Sequence, residues 1–198
     1  LSFLVGSGRS GIAGRTTSQL NGMLGEVVSY SSPNSVLNKQ KIQSYLGIKY
    51  GITLQDDASV LTETDYRQND VDYIDSAGNI IWDTSANSTY NYDVAGIGRD
   101  DESGLNQKVS KSVNGNTILT LALDADFTAA NTDVGRTTSH TNDKQFLVIA
   151  HNGGATTTQN TEINNNNFNT RVIREWKVDQ TANFTQNVNL KFAGFDET

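Results

Sequence analysis

The chain of 198 residues contains no cysteine. This absence excludes a fold held together by disulfides and any metal site built on thiolates. The sequence also has no run of about 18 apolar residues, so no segment resembles a transmembrane helix. Basic residues are few, since 15 Lys and Arg stand against 22 Asp and Glu, giving a formal net charge of -7. Because contacts with phosphate backbones need clustered basic residues, this balance argues against nucleic-acid binding.

The chain is also poor in apolar residues, which make up 35% of it. Asn, Thr, Ser and Gly take their place, and these residue types form turns and solvated strand faces. Short runs of aromatic and β-branched residues recur throughout, which argues against disorder. The length suffices to bury a core, either as one large β domain or as two small ones. The sequence begins at Leu1 without an initiator Met, and we interpret it as part of a longer polypeptide.

The negative charge is concentrated in residues 56–102, which hold twelve Asp or Glu residues and two basic ones, Arg67 and Arg99. Two interpretations stay open, namely solvated acidic loops and a calcium site, because calcium prefers several carboxylate and carbonyl oxygens. The sequence lacks the glycine and closing glutamate of an EF-hand loop. Two smaller carboxylate groups are further options, Asp100–Glu102 and Asp124 with Asp126. The best cation ligands are Asp65, Asn69, Asp70, Asp72 and Asp75.

One helix is predicted near residues 35–50. The helix should begin after the turn at Ser31–Asn34, with Asn34 or Ser35 as its N-cap. Gly51 is suited to end the helix, because glycine readily adopts the left-handed conformation of a C-terminal cap. A spacing near 3.6 residues predicts an apolar stripe. The stripe consists of Val36, Leu37, Ile42, Tyr45, Leu46 and Ile48.

The remainder is predicted to be strands joined by Asn- and Gly-rich turns. Strands at this spacing indicate an all-β fold, an antiparallel β-sandwich with one short helix. The polar run 156–169 reads as an exposed loop. The predicted strands are 26–30, the hairpin 71–74 with 79–83, 105–113 joined through Asn114-Gly115 to 117–123, then 145–150, 172–178 and 188–192.

Residues able to carry chemistry have simpler interpretations. Gly96-Ile97-Gly98 lacks the third glycine of a dinucleotide fingerprint, so it predicts a strand closely approached by another backbone or a bulky ring. Arg99 beside Asp100 and Asp101 predicts a structural ion pair. His140 and His151 have no partner at metal-ligand spacing, and we predict that both are surface or turn residues.

Aromatic residues leave two interpretations open. Trp82, Tyr90, Tyr92 and Trp176 are a possible platform for stacking against sugars, although a tryptophan in a sandwich is usually part of the core. We predict that both tryptophans are core residues.

Two parts of the chain resemble known families. Leu20–Tyr30 and Lys41–Leu54, which ends in Lys-Tyr-Gly-Ile-Thr-Leu, resemble the end of a concanavalin A-like (laminin-G-like) lectin domain of secreted Bacteroidetes proteins. The motifs at 80–83, 94–100, 105–108 and 174–178 are similar to an uncharacterised domain that follows such tails in very large cell-surface proteins. The resemblance implies two domains, 1–54 and 55–198, and an extracellular, adhesin-like context. Asp75-Ser76-Ala77 also resembles the O-glycosylation motif of Bacteroidetes, so Ser76 is a possible glycosylation site.

These observations favour a non-enzymatic structural or adhesive module, a rigid β-rich link in a stalk or fibre of a secreted surface protein. Its partners would be other domains or chains of that protein. The alternative is a carbohydrate- or surface-binding module that contacts glycans through its Asn/Asp-rich loops. A hydrolase is the third hypothesis, but no spacing selects a pair of carboxylates for it. The N-terminal part, including Leu4, Val5, Val27, Val28 and the helix face, should be buried against a neighbour.

Overall fold

The computed structural model describes residues 24–55, 71–160 and 170–194, and it divides the chain into two units, Leu1–Asn34 and Ser35–Thr198. In the first unit, the described residues 24–34 form neither helix nor strand, so the strand predicted at 26–30 is wrong. Val27 and Val28 are 48% and 43% exposed in this single chain, so their burial against a partner chain stays a prediction. Leu4 and Val5 lie outside the described residues.

The described part of the second unit contains one helix and eleven strands. The prediction of an all-β fold with one short helix near residues 35–50 is confirmed. This helix, the only one in the described ranges, does not have the length or the apolar character of a membrane-spanning segment. The elements are α1 (Val36–Tyr50), β1 (Tyr73–Ile74), β2 (Ile80–Trp82), β3 (Tyr92–Asp100), β4 (Leu105–Gln107), β5 (Val109–Ser110), β6 (Leu119–Ala122), β7 (Gln145–His151), β8 (Thr158–Gln159), β9 (Arg171–Val172), β10 (Trp176–Gln180) and β11 (Asn189–Phe192).

The predicted caps define the ends of α1. The Ser35 hydroxyl accepts a hydrogen bond from Asn38 N at 3.1 Å, and Gly51 ends the helix with a φ of 65°. Gly51 is also required for space, because a Cβ there would lie 2.0 Å from the Lys111 carbonyl oxygen. Any other residue would therefore be strained in conformation and would separate the helix end from the segment that follows β5.

The helix packs through small residues and not through the whole predicted apolar stripe. Its buried residues are Ser44, Gly47 and Ile48, whereas Val36 is 82% exposed. A Cβ at Gly47 would lie 2.8 Å from Tyr73 Cε1, and the Ser44 hydroxyl accepts a hydrogen bond from the buried amide of Ile74. The face of α1 that approaches β1 is therefore the one with small side chains. The spacing of apolar residues alone does not predict this face.

The central sheet has the order β10-β7-β3-β4 and is antiparallel throughout. Strand β7 is buried along its whole length, which explains the continuous apolar run that predicted it. Gly98 of β3 stands opposite Phe146 of β7, and a Cβ at Gly98 would lie 2.3 Å from the Phe146 ring. A Cβ at Gly96 would lie 3.1 Å from the Leu147 carbonyl oxygen, so the prediction of glycines approached by a bulky ring or another backbone is confirmed.

Two apolar clusters cover the two faces of the central sheet, which makes the fold sandwich-like. The first joins the sheet to α1 and the β1–β2 hairpin and consists of Ile48, Tyr73, Ile81, Trp82, Val94, Leu105, Phe146, Val148 and Ala150. The second joins the opposite face to the sheet of order β11-β6-β5 and consists of Ala95, Ile97, Leu119, Leu121, Leu123, Leu147, Ile149 and Phe184.

The strand predicted at 105–113 is two strands in different sheets. Strand β4 pairs with β3, whereas β5 pairs with β6, so the chain changes sheets at Lys108. The Asn131 carboxamide oxygen accepts hydrogen bonds from the amides of Lys108 and Val109, and this interaction fixes the corner. Asn114-Gly115 does form a turn, closed by the bond from Thr117 N to Asn114 O, but the turn lies within a longer loop.

Other predicted boundaries shift as well. The hairpin predicted at 71–83 is present as β1 and β2. The strand predicted at 172–178 is interrupted between β9, which pairs with β8, and β10, which pairs with β7. Of the predicted loop 156–169, residues 161–169 lie outside the described residues.

The division between the two units follows Asn34, so it does not coincide with the boundary predicted between residues 54 and 55. The segment after the helix explains this difference. The buried Tyr73 hydroxyl donates to Ile52 O at 2.9 Å and accepts from Leu54 N at 3.0 Å. Burial also raises the pKa of Tyr73 far above its usual value, which keeps the hydroxyl protonated and able to donate. Residues 35–54 are thereby part of the β-rich unit.

Candidate functional site

The predicted calcium ligands lie partly in the described region. Asp65, Asn69 and Asp70 are outside the described residues. Asp72 Oδ1 accepts a hydrogen bond from Thr84 N at 2.8 Å, and both carboxylate oxygens of the buried Asp75 accept from Asn79 at 2.8 Å. Asp72 and Asp75 therefore brace the β1–β2 hairpin, and the calcium site stays a prediction.

Ser76 lies in the turn of the same hairpin and is half-buried. Its amide donates to Asp100 Oδ2 at 2.8 Å and its hydroxyl donates to Asp100 Oδ1 at 2.6 Å. A glycan on this oxygen would replace the hydroxyl proton and remove that second hydrogen bond. Glycosylation of Ser76 stays a prediction, and it would require the loss of the hydrogen bond from the Ser76 hydroxyl to Asp100.

The carboxylates at Asp100–Glu102 meet the cations of the protein itself. Lys144 Nζ lies 3.6 Å from Asp100 Oδ1, 3.4 Å from Asp143 Oδ2 and 3.7 Å from Glu102 Oε2. Arg99 forms two hydrogen bonds with Asp101, at 2.7 and 2.8 Å, which confirms the predicted ion pair. A lysine ammonium thus stands where a bound cation would otherwise balance this charge.

The third carboxylate pair, Asp124 with Asp126, surrounds a buried arginine. The Arg136 guanidinium pairs with Asp124 Oδ1 and donates to the carbonyl oxygens of Asp126 at 2.7 Å and Ala129 at 2.8 Å. Its side chain is 1% exposed. Carboxylate and carbonyl oxygens of this kind would suit a hard cation, but the guanidinium occupies the space between them. The pattern of acidic residues was visible in the sequence, whereas the arginine ten residues further on carried no recognisable signal.

The Asp126 carboxylate holds the same loop from outside. It accepts hydrogen bonds from Thr128 N at 2.8 Å and Ala129 N at 3.0 Å, and also from the Thr128 hydroxyl. The two backbone hydrogen bonds lower the pKa of Asp126 to about 2. The carboxylate therefore stays ionised at any ordinary pH and keeps the loop in this conformation.

The prediction that both histidines are surface or turn residues is wrong, since His140 and His151 are 3% and 2% exposed. His140 Nε2 lies 2.8 Å from the Gln107 carbonyl oxygen, and its Nδ1 lies 2.8 Å from Gln145 Nε2. Because the carbonyl only accepts and the amide nitrogen only donates, the ring is neutral with its proton on Nε2. Burial is the main cause that lowers the pKa of His140, with Lys108 and Arg99 adding to it.

His151 is held in the same tautomer by different partners. Gly153 N donates to Nδ1 at 2.9 Å, so the proton lies on Nε2, which contacts Asp93 Oδ2 at 2.8 Å. Asp93 is buried at an irregularity of β3 and has a φ of 54°. Its Oδ1 accepts from the Asn114 side chain at 2.7 Å. The pair resembles a catalytic dyad in composition, but both ring nitrogens are already used, and neither contact is with a nucleophile.

The four aromatic residues proposed as a sugar platform do not share one exposed surface. Trp82 is fully buried, and its Nε1 donates to Asn91 Oδ1 at 3.1 Å, which confirms it as a core residue. Trp176 is half-buried and packs edge-on against Phe192, with ring centroids 5.2 Å apart. Tyr92 stacks on the buried His151 ring, and Tyr90 donates to Glu175. Trp82 is therefore a packing residue, and a sugar-stacking role for Tyr90, Tyr92 and Trp176 stays a prediction.

A groove that was not predicted from the sequence lies between the C-terminal end of α1, strand β5 and the loop 127–129. Its volume is about 310 Å³. Among the residues that the structure describes, no Asp or Glu lines it, and the lining residues include Lys49, Tyr50, Ser110, Lys111, Thr120 and Phe127. This concave surface has a volume at the lower end of the range of small-molecule sites.

The family described as a domain of unknown function (DUF8202) matches residues 38–198 of this chain. No curated protein and no solved structure matches it. The matched region begins within α1, so it includes most of the helix together with all described strands.

Proposed function

The chain belongs to the DUF8202 family, and on this premise we propose that it is a non-enzymatic structural module, a rigid β-rich link in a large secreted cell-surface protein. The observation that supports the proposal is the use of its buried charged and imidazole side chains. They hold loops to the β-sheets and do not line the groove. The side chains concerned are Asp93, Asp100, Arg136, His140 and His151.

Rigidity follows from where these contacts act. Loops normally open first, because their backbone hydrogen bonds are exposed and their apolar contacts are few. Here Arg136 crosslinks one loop through three residues, and Lys144 joins the ends of two others. The predicted extracellular location and the predicted partners, other domains or chains of the same surface protein, rest on the resemblance of the sequence motifs.

The same contacts argue against an enzyme. Catalysis needs an acid, base or nucleophile within reach of a substrate. Asp93 and His151 are 4% and 2% exposed, and the free electron pair of His151 already accepts from Gly153 N. We therefore propose a structural role for the pair.

Single-molecule stretching tests the structural proposal. The chain is placed between reference domains of known unfolding force and pulled through its ends. We expect one cooperative unfolding event at a force at least equal to that of the reference domains. Gradual extension at low force before any reference domain unfolds would contradict a role as a rigid link.

The predicted calcium site belongs to the same proposal, since calcium would stiffen the acidic region. A ligand that binds only the folded chain raises its thermal midpoint. Unfolding in calcium and in chelator should therefore differ for the unmodified chain, and the double variant D72N/D75N should reduce the difference. Equal midpoints in both conditions would return these carboxylates to the hairpin-bracing role seen in the structure.

A carbohydrate- or surface-binding module is the second candidate, and the groove beside α1 is the observation that favours it. From the sequence, we predicted that such a module would contact its ligand through the Asn/Asp-rich loops. A glycan array probed with the labelled chain tests the candidate, and a chain that binds no glycan on the array would leave only the structural role.

A further inference from the structure

We infer that the groove between the C-terminal end of α1, strand β5 and the loop 127–129 binds a saccharide that carries carboxylate groups, such as an oligosaccharide of uronic acids. The inference rests on the second candidate function and gives it a ligand class and a location. It is independent of the structural proposal, because it uses none of the side chains that hold the loops together.

Charge is the first argument. The chain carries a formal net charge of -7, yet the described residues that line the groove include Lys49 and Lys111 and no Asp or Glu. Lys111 is exposed and forms no ion pair with any described residue. A locally positive concave surface attracts anions and has little effect on uncharged molecules. It therefore favours an anionic ligand over a neutral one. Lysine supplies the point charge that a carboxylate on a flexible sugar chain needs.

An unsatisfied hydroxyl is the second argument. Ser110 lines the groove and is 5% exposed, and its Oγ has no hydrogen-bond partner among the residues that the structure describes. Buried hydroxyls are rarely left unpaired, because the lost hydration is not replaced. A change of the Ser110 χ1 rotamer would offer this hydroxyl to a ligand oxygen. Saccharides carry many such oxygens, so the ligand class fits the missing partner.

The remaining lining matches the two kinds of surface that a sugar ring presents. Phe127 is half-buried and contributes an aromatic ring, with Lys191 Nζ 5.8 Å from its centroid. Thr120 is half-buried and adds a hydroxyl. An apolar sugar face can pack on the ring while its hydroxyls meet the polar side chains. A volume of about 310 Å³ is at the lower end of the range of small-molecule sites.

The test is a titration of the full chain, followed by NMR, with a glucuronic acid oligosaccharide and with an uncharged glucose oligosaccharide of equal length. We expect the acidic oligosaccharide to bind at least about tenfold more tightly than the uncharged one. This difference corresponds to one contact between a lysine ammonium of the groove and a carboxylate of the ligand. Amide shifts should map to residues 49–51, 109–112 and 127–129. Equal affinity for the two oligosaccharides, or no binding of either, would overturn the inference while leaving the stretching result untouched.

Two variants locate the site. Lys111→Glu should weaken binding of the acidic oligosaccharide about tenfold or more. Lys39→Glu makes the same charge change about 15 Å from Lys49 along the helix axis, and it should leave affinity unchanged. Ser110→Ala should weaken binding without lowering the thermal midpoint, since the hydroxyl has no partner in the free protein. Unchanged affinity in Lys111→Glu, or amide shifts confined to the Asn/Asp-rich loops, would show that the groove is not the site.

Discussion

Replacing Arg136 by alanine should be among the most destabilising single changes in the second unit. The guanidinium pairs with Asp124 and donates to the carbonyl oxygens of Asp126 and Ala129, with a longer contact to Ala130 at 3.4 Å. Its side chain is 1% exposed and that of Asp124 is 20% exposed. Removing one partner of a buried pair leaves the other charge and several carbonyls without compensation, which costs about 3–5 kcal/mol.

Urea unfolding followed by tryptophan fluorescence measures this cost, because Trp82 is fully buried in the native state. The free energy of unfolding should fall by about 3–5 kcal/mol with an unchanged slope, so that the midpoint alone moves. For a domain of this size, the thermal midpoint should fall by roughly 6–20 °C.

Arg171→Ala is the matched control. Arg171 pairs with Glu175 on the surface, where the side chains are 31% and 48% exposed, and its loss should cost less than about 1 kcal/mol. If Arg136→Ala changes the free energy of unfolding no more than Arg171→Ala does, the buried arginine does not hold its loop, and the structural reasoning fails.

Three further predictions follow from buried contacts. Gly98→Ala should destabilise the fold by about 1–3 kcal/mol or prevent folding, because its Cβ would lie 2.3 Å from Phe146. Gly115→Ala is the control in thermal unfolding. It should be nearly neutral, because no described atom lies within 4 Å of its Cβ. Tyr73→Phe should cost about 1–3 kcal/mol in urea unfolding, because it leaves a carbonyl and an amide near the helix end unpaired; a cost near zero would show that water replaces the hydroxyl. The pKa of His140 is lowered in the folded chain, so the unfolded chain binds the proton more readily. The stability that depends on His140 is therefore complete above about pH 6.5 and falls as the pH drops below that value. His140→Gln should flatten this pH dependence of the urea midpoint, and an unchanged pH dependence would contradict a neutral, buried His140.

Elements that depend on local patterns were predictable from the sequence. Strand β7 is a continuous apolar run because both of its faces are covered, and the β1–β2 hairpin follows from its turn residues. The caps of α1 were also visible, since Ser35 and Gly51 act through their immediate neighbours. In each case, the residues that decide the structure are close together in the sequence.

Elements that depend on distant partners were not predictable. The break after β4 requires Asn131, which lies 23 residues beyond the Lys108 amide that it binds. The histidines are buried because Gln107 and Asp93 accept from them across 33 and 58 residues, and no spacing rule connects such pairs. The groove likewise forms only where the helix end meets β5, so no single segment encodes it.

Native-state hydrogen exchange tests the central claim most directly, because a rigid link requires its loops to be held as firmly as its sheets. The amides of Asn142, Gly153 and Ala129 take no part in strand pairing. They donate hydrogen bonds to the side chains of Gln145, His151 and Asp126. The account predicts that they exchange slowly, with opening free energies close to those of β7. Exchange at the rate of free loops, while β7 stays protected, would contradict a module whose charged and imidazole side chains confer rigidity.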